Sequence, residues 1–586
     1  MFEQVLDPVG GSLGLSALCA VLPLLTLFVL LGVLRVKAWI AGLVSLAVAI
    51  VVAVLFFGMP VGQSLLSATE GAAFGFFPIL WIVINAIWVY NLTVETGHFD
   101  VLRRSFEKVS PDQRIQAIII AFCFGALLEA LAGFGTPVAI TVVMLMTLGF
   151  TPLKSASLAL IANTAPVAFG ALASPIVTLA TVTSGANDDA RLTLDGLGAM
   201  VGRQTPILAV VVPLILVFVA DGKRGVRETW LAALTAGLTF GIAQFVASNY
   251  ISVPLTDIVA SLVAAAAVVA VTRVTQPART GALTQPVGAA GGAGFDDRAT
   301  VGTELADRPG HQRAHDDVPG GPGRMRGRDE STSVSDSRSE VLKAYAPYLI
   351  IIVIFAITNI SGIKAALAEQ PWTYKFAWPG LHVFAPGATD PVSTTTFTFN
   401  WLPAAGTLLI ISGILTAAVL RISPGRALAA MGRTYAELKW AIVTVMAVLA
   451  LAYVMNLSGQ TASLGAFLAG TGALFAFLSP VLGWIGVGVT GSDTSANALF
   501  GALQVQTATR AGLDPLLLAA ANSSGGVLGK MISPQNLAIA AAAVGMAGKE
   551  GELFRKVFGW SLLLLLFMCV IVVLQSTPVL GWMIPG

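Results

Sequence analysis

Charge is what this chain has least of. Only 11% of its 586 residues are Asp, Glu, Lys or Arg, while 56% are hydrophobic. Soluble domains carry roughly 25% charge, so an ordinary soluble protein is excluded and a polytopic membrane protein is expected. Cysteine is scarce as well: Cys19, Cys123 and Cys569 lie scattered in apolar runs, which supports neither a disulfide framework nor a metal site. No HExxH pattern is present and no histidine falls inside a span, which weakens any reading as an intramembrane enzyme. A basic stripe with interleaved aromatics is also missing, so nucleic acid is not an expected partner, and no cofactor is implied. The first apolar run follows acidic Glu3 and Asp7, with no basic segment before it and no small-residue cleavage site after it. It therefore reads as a retained helix.

Long apolar runs are what the chain does have. A helical span needs about 20 such residues. Candidates lie near 13–34, 38–58, 71–93, 204–220, 229–248, 253–272, 343–361, 402–420, 440–456 and 557–575. An amphipathic piece from His98 to Lys108 suits the membrane interface. Two half-length runs, 115–131 and 136–150, flank the glycine-rich stretch Ala132–Thr136, with Arg114 before them and Lys154 after. Both ends then lie on one side, which makes a re-entrant hairpin. A second hairpin is expected at 481–510 with its tip at Gly491–Asn497, and run 463–479 reads as an in-plane helix leading into it. Residues 275–342 are rich in Gly, Pro, Asp, Arg and Ser and read as a disordered cytoplasmic linker, in which His311 and His315 have no companion ligands. The loop 362–400, with Trp372, Tyr374 and Trp378, reads as an ordered cap outside the membrane.

Two segments, 155–183 and 514–545, are apolar but interrupted. Asn163–Pro175 reads NTAPVAFGALASP and Asn522–Pro534 reads NSSGGVLGKMISP, at a constant offset of 359 residues. Each has Asn first, a hydroxyl next, Gly seven places on and a closing Ser-Pro. Paired interrupted segments in two halves are the sequence mark of a transporter's binding site. The expected fold is thus all-α and polytopic, with about 12 transmembrane helices plus two re-entrant hairpins, in two inverted repeats with broken helices. The repeats are 1–222 and 343–586, with two linking helices at 223–274. A set of Lys and Arg, among them Arg35, Lys37, Arg114, Lys154, Arg273, Lys343, Arg421 and Arg555, falls inside if both termini lie outside.

Chemistry is expected where the hairpin tips and breaks meet. Half-helix N-termini there offer free N–H groups and partial positive charge to a small carboxylate. The candidate substrate-binding residues are Gly133, Gly135, Thr136, Asn163, Thr164, Ser492, Thr494, Ser495, Asn497, Asn522, Ser523 and Lys530. Charges near mid-bilayer cost at least about 2.5–3.5 kcal/mol each, so Glu129, Asp493 and Lys530 suggest work. Glu129, set among Leu127, Leu128 and Leu131, is the first choice as proton carrier, with Asp493 second. Lys530 is expected to meet the substrate carboxylate, or to pair with Asp493 when the site is empty. Arg203 and Arg510 are expected at outer helix ends.

At these residues the chain resembles a known family. The blocks LLEALAGFGTPVAI (127–140), NTAPVAFGA (163–171), TGSDTSANALFGALQ (490–504) and NSSGGVLGKMISPQNLAIA (522–540) are similar to the bacterial L-lactate permeases. The resemblance implies proton-coupled uptake of lactate and related 2-hydroxymonocarboxylates such as glycolate across the bacterial cytoplasmic membrane. It also implies an elevator-like motion. Sodium coupling is the near alternative, since hydroxyls, amides and freed carbonyls suit Na⁺, and an anion channel is a more distant one. An oligomer is left open.

Overall fold

The computed structural model describes residues 2–107, 109–133, 135–274, 336–386 and 388–586. Among these, ten helices are long and apolar enough to cross a bilayer, or eleven if the bent pair Pro152–Ala162 and Val167–Thr183 is taken as one span. The protein is a multi-pass, all-α membrane protein. Length alone joins what the sequence divides: Leu194–Val246 is one helical run in which only Asp221 and Gly222 leave helical geometry. The run Ala405–Val419, expected as a span at 402–420, has only 15 residues.

Several boundaries move outward from the sequence expectation. The third span begins at Val61 and continues to Glu95, with a non-helical residue at Phe77 just before Pro78. The helix expected at 440–456 starts at Pro424 and ends at Leu457, its polar first half still helical because it packs on neighbours. The last span starts at Glu550. Run 463–479 is corrected most: Gln460–Ala469 is a separate short helix, and the helix expected to begin near 481 already begins at Phe475. Gly470 to Gly472 supply the break between them. Of the linker at 275–342, residues 336–342 enter the helix Arg338–Thr358, closed by a capping box between Ser337 and Glu340. The remainder, with His311 and His315, lies outside the described residues.

Close helix packing depends on small residues. A side chain at Gly71 would meet the Leu449 carbonyl at 2.6 Å and the Ala450 Cα at 2.8 Å, so the helix Val61–Phe74 can lie this near to Pro424–Leu457 only with glycine there. The cap is ordered, as expected. Tyr374–Ala377 pairs antiparallel with Thr396–Phe399, and Phe2–Glu3 pairs parallel with Val383–Phe384. The N-terminal strand is thereby fixed to the cap.

The two helix pairs expected as hairpins have their bases beside opposite ends of residues 194–220. The first, Gln113–Leu131 and Thr136–Thr147, has its base beside the Asp221 turn: Arg114 pairs with Asp221 at 3.0 Å, and Lys154 donates to the Ala220 carbonyl at 2.8 Å. The second, Phe475–Thr490 and Asp493–Ala511, has its base beside the loop preceding Leu194. There Arg191 pairs with Asp514 at 2.9 Å and Gln506 donates to the Ala186 carbonyl at 2.6 Å. Those two ends are separated by residues 194–220, roughly 40 Å of helix. Arg191 and Arg203 also hold the C-terminal tail, through the carbonyls of Pro585 and Met583.

Candidate functional site

Between the hairpin tips lies a cavity of about 770 Å³. Its inner wall is Glu129, Gly133, Gly170, Ala171, Ser174, Ser492–Ser495 and Lys530, and it continues outward past Lys37, Trp39 and Trp440. Trp39 and Trp440 stack at 4.7 Å between ring centres.

The centre of the wall is an ion pair. Lys530 Nζ lies 2.5 Å from Glu129 Oε1, both residues buried, and Asn163 Nδ2 donates to Glu129 Oε2 at 2.9 Å. The expected partnership of Lys530 with Asp493 is therefore corrected: the lysine reaches across to the first half of the chain. The cause is packing, since the helix Pro534–Ala543 lies against the first hairpin's second arm. Gly170 leaves room for the carboxylate, as a Cβ there would stand 2.9 Å from Glu129 Oε1. Removing one member of a buried pair typically costs ~3–5 kcal/mol because the other charge is stranded.

Asp493 belongs to a second cluster. Its Oδ2 accepts from Ser523 Oγ at 2.5 Å and Asn497 Nδ2 at 3.3 Å, while Oδ1 is buried with no partner. Asn497 also donates to the Pro175 carbonyl at 3.1 Å and accepts from Asn522 Nδ2 at 2.9 Å. Gln504 completes the cluster by donating to Asn522 Oδ1 at 3.1 Å.

Helix starts converge here as well. Asp493–Ala511 begins at the cavity with Ser492 as its cap, accepting from the Ser495 N–H at 3.3 Å. Pro534–Ala543 begins with Ser533 as its cap, and Gln535 and Asn536 line the cavity. Such termini favour negative charge by about 0.3–1 kcal/mol each at exposed sites, and more where partly buried.

Of the residues singled out in the sequence, Glu129, Gly133, Ser492, Asp493, Thr494, Ser495 and Lys530 line the cavity. Asn163, Asn497, Asn522 and Ser523 stand one layer behind and hold the wall by the bonds just given. Gly135, Thr136 and Thr164 are not on the wall. Gly135 is packed under Ile539 and Asn536, and Thr164 turns its hydroxyl to its own backbone at Ile161. One break is also misplaced by the sequence: the helix Pro515–Gly529 runs unbroken through Asn522, and the turn comes at Lys530–Ile532. Ser174, Thr490, Gln535, Asn536, Trp39 and Trp440 were missed. The first four lie inside the quoted stretches 163–175, 490–504 and 522–540 but were not singled out there, and the tryptophans carry no local signal. Arg203 bonds Asn249 and the tail, and Arg510 is exposed.

Comparison with known proteins now adds its own finding. The profile of the L-lactate permease family matches residues 16–579. This chain belongs to that family. It is 41% identical to the glycolate permease of Escherichia coli K12, over all of this chain and 99% of that one. It is 39% identical to the L-lactate permease of Bacillus subtilis 168 and 40% identical to that of Escherichia coli K12, each over the full length of both chains. An L-lactate permease family member is a transporter and not an enzyme, which suits a wall that holds an ion pair and hydroxyls between broken helices.

Proposed function

We propose that this protein carries L-lactate and related 2-hydroxymonocarboxylates such as glycolate across the bacterial cytoplasmic membrane together with a proton. The carrying observation is the buried Glu129–Lys530 pair on the cavity wall. While Glu129 is ionised, Lys530 is neutralised and offers little to an anion. A proton on Glu129 cancels the pair and frees the ammonium for a carboxylate, so proton and substrate load together. Ser492 and Ser495 on the cavity wall offer hydroxyls to the 2-hydroxyl. The names of the relatives, glycolate and L-lactate permease, support this substrate class.

The halves 1–222 and 343–586 are read as inverted repeats, with helices 223–274 linking them. Support comes from hairpin bases at opposite ends of residues 194–220 and tips that meet. Both termini are placed outside, on the face of the cap, and the cavity's extension past Lys37 then opens to the cytoplasm.

Sodium coupling has one observation in its favour: Asp493, Ser523 and Asn497 form an oxygen-rich cluster with one acceptor unfilled. Counterflow of labelled lactate in proteoliposomes, against a panel of small acids at varied pH and sodium, separates the two. The proposal expects competition by glycolate and accumulation that a protonophore abolishes while a sodium gradient persists. Accumulation that follows sodium and ignores the protonophore contradicts it.

A further inference from the structure

Behind the cavity wall stands another buried acid that the ion-pair account does not use. Asp257 lies in the first turn of the helix Thr256–Val274 and is fully buried. Its Oδ1 accepts from Gln244 Nε2 at 3.0 Å, and its Oδ2 has no partner. The same Gln244 amide also donates to the carbonyl of Ala165 at 3.3 Å, and its Oε1 accepts from Thr205 at 3.2 Å. Ala165 is two residues from Asn163, which holds Glu129. One amide therefore joins Asp257 to the unwound turn that positions Glu129.

The helix of Asp257 packs directly on 125–131, which carries Glu129, and also on 118–124, on Leu194–Val246, on Arg338–Thr358 and on residues 174–183. The titratable or charged groups these elements bring toward the helix core are few. They are Glu129, the Cys123 thiol, the Tyr348 phenol and Arg203, whose guanidinium is committed to Asn249 and Met583. No cation reaches Asp257 among the described residues. A buried carboxyl with one oxygen accepting, the other vacant and no cation to balance it is arranged to hold its own proton. The turn just before it, Val253 and Pro254, lines a separate cavity of about 310 Å³ that also includes Asp195, Asn359 and Lys364, next to the cap. Asp257 thus stands between the cap-side cavity and Glu129.

We propose that Asp257 is a second proton-binding residue of the transport cycle, a positioning residue whose protonation sets the hold of Gln244 on the Ala165 turn and through it the Asn163–Glu129 contact. When Asp257 is ionised it draws the Gln244 amide toward itself; when it is neutral the amide is freer to bond Ala165. The proposal rests on the proton-coupled reading given above.

The test uses the full chain in proteoliposomes, with Asp257→Asn, Asp257→Glu and Asp257→Ala beside the wild type. Asp257→Asn keeps the acceptor for Gln244 and cannot titrate. Expected is intact lactate counterflow at symmetric pH, with the Glu129-dependent fall in affinity kept but its midpoint on the pH profile of KM displaced from that of the wild type, and with loss of one protonated-carboxyl band in infrared difference spectra. Asp257→Glu is expected to restore part of both. Asp257→Ala serves as the structural control and is expected to lose thermal stability. A wild-type pH profile and an unchanged infrared band in Asp257→Asn overturn the proposal and leave a packing role. If the wild type itself ignores the proton gradient, the proton-coupled reading falls and this proposal with it.

Discussion

The two broken helices share a sequence signature and fold it differently. In the first, helix Pro152–Ala162 ends at Asn163, and the chain resumes regular helix only near Ser174, after a bend of 63°. Three successive non-glycine residues take left-handed geometry there: Ala171 at φ 44°, Leu172 at 49° and Ala173 at 60°. In the second, the helix is unbroken to Gly529, and one tight turn, Lys530–Ile532, leads to Pro534. At the 359-residue offset these two trios are counterparts. Left-handed backbone costs an L-residue ~1–2 kcal/mol, and such strain collects where structure serves function. The first copy unwinds and, through Asn163, holds the acid; the second stays wound and presents the base. Sequence symmetry here marks position, and the departures from it mark roles.

The comparison can be broken at its strongest point first. Lys530→Gln should abolish lactate uptake and, by stranding Glu129, lower stability by ~3–5 kcal/mol in thermal unfolding. The double variant Glu129→Gln with Lys530→Gln should recover that stability while remaining inactive. A double variant no more stable than Lys530→Gln alone would show that the two side chains are not partners. A sharper contrast lies in the two asparagines. Asn522→Ala should cost about 1–3 kcal/mol of stability, since it leaves Asn497 Oδ1 buried without a partner and takes from Gln504 Nε2 one of its two bonds, the other going to the Ser479 carbonyl. Asn163→Ala should instead act on the pH dependence of lactate binding, because its amide touches Glu129. Equal effects on both readouts would remove the division of roles. The smallest effect concerns the strained trio. Ala173→Gly should raise stability by up to ~1 kcal/mol by relieving left-handed strain, whereas Ile532→Gly at the matching place should lower it.

Much of this was legible in the sequence for physical reasons. Bilayer solvent forces apolar runs of fixed length, so the spans could be placed, and it penalises lone charges, so Glu129, Asp493 and Lys530 stood out. The sequence marks Gly491–Asn497 as a break, and the structure has a left-handed Gly491 and then Ser492 capping the next helix there. What the sequence could not show was pairing across halves. Lys530 and Asp493 are near each other in the chain, yet Lys530 meets Glu129, because contact depends on how the first hairpin packs on the second half. The position of the second break was hidden too. Asn522, Ser523 and two glycines look helix-breaking, but burial against Phe475–Thr490 keeps that segment wound, with Pro480 close enough to require Gly525. The amphipathic start of Pro424–Leu457 was likewise missed, since its helicity comes from packing and not from apolar length.

Everything turns on whether protonating one acid releases one base to a carboxylate. The direct measurement is lactate affinity as a function of pH, followed by fluorescence of the Trp39–Trp440 pair at the cavity, for the wild type and Glu129→Gln. The account predicts that wild-type affinity falls as pH rises, while Glu129→Gln, with its lysine permanently free, binds lactate at every pH in that range. Parallel pH curves for the two proteins would contradict it.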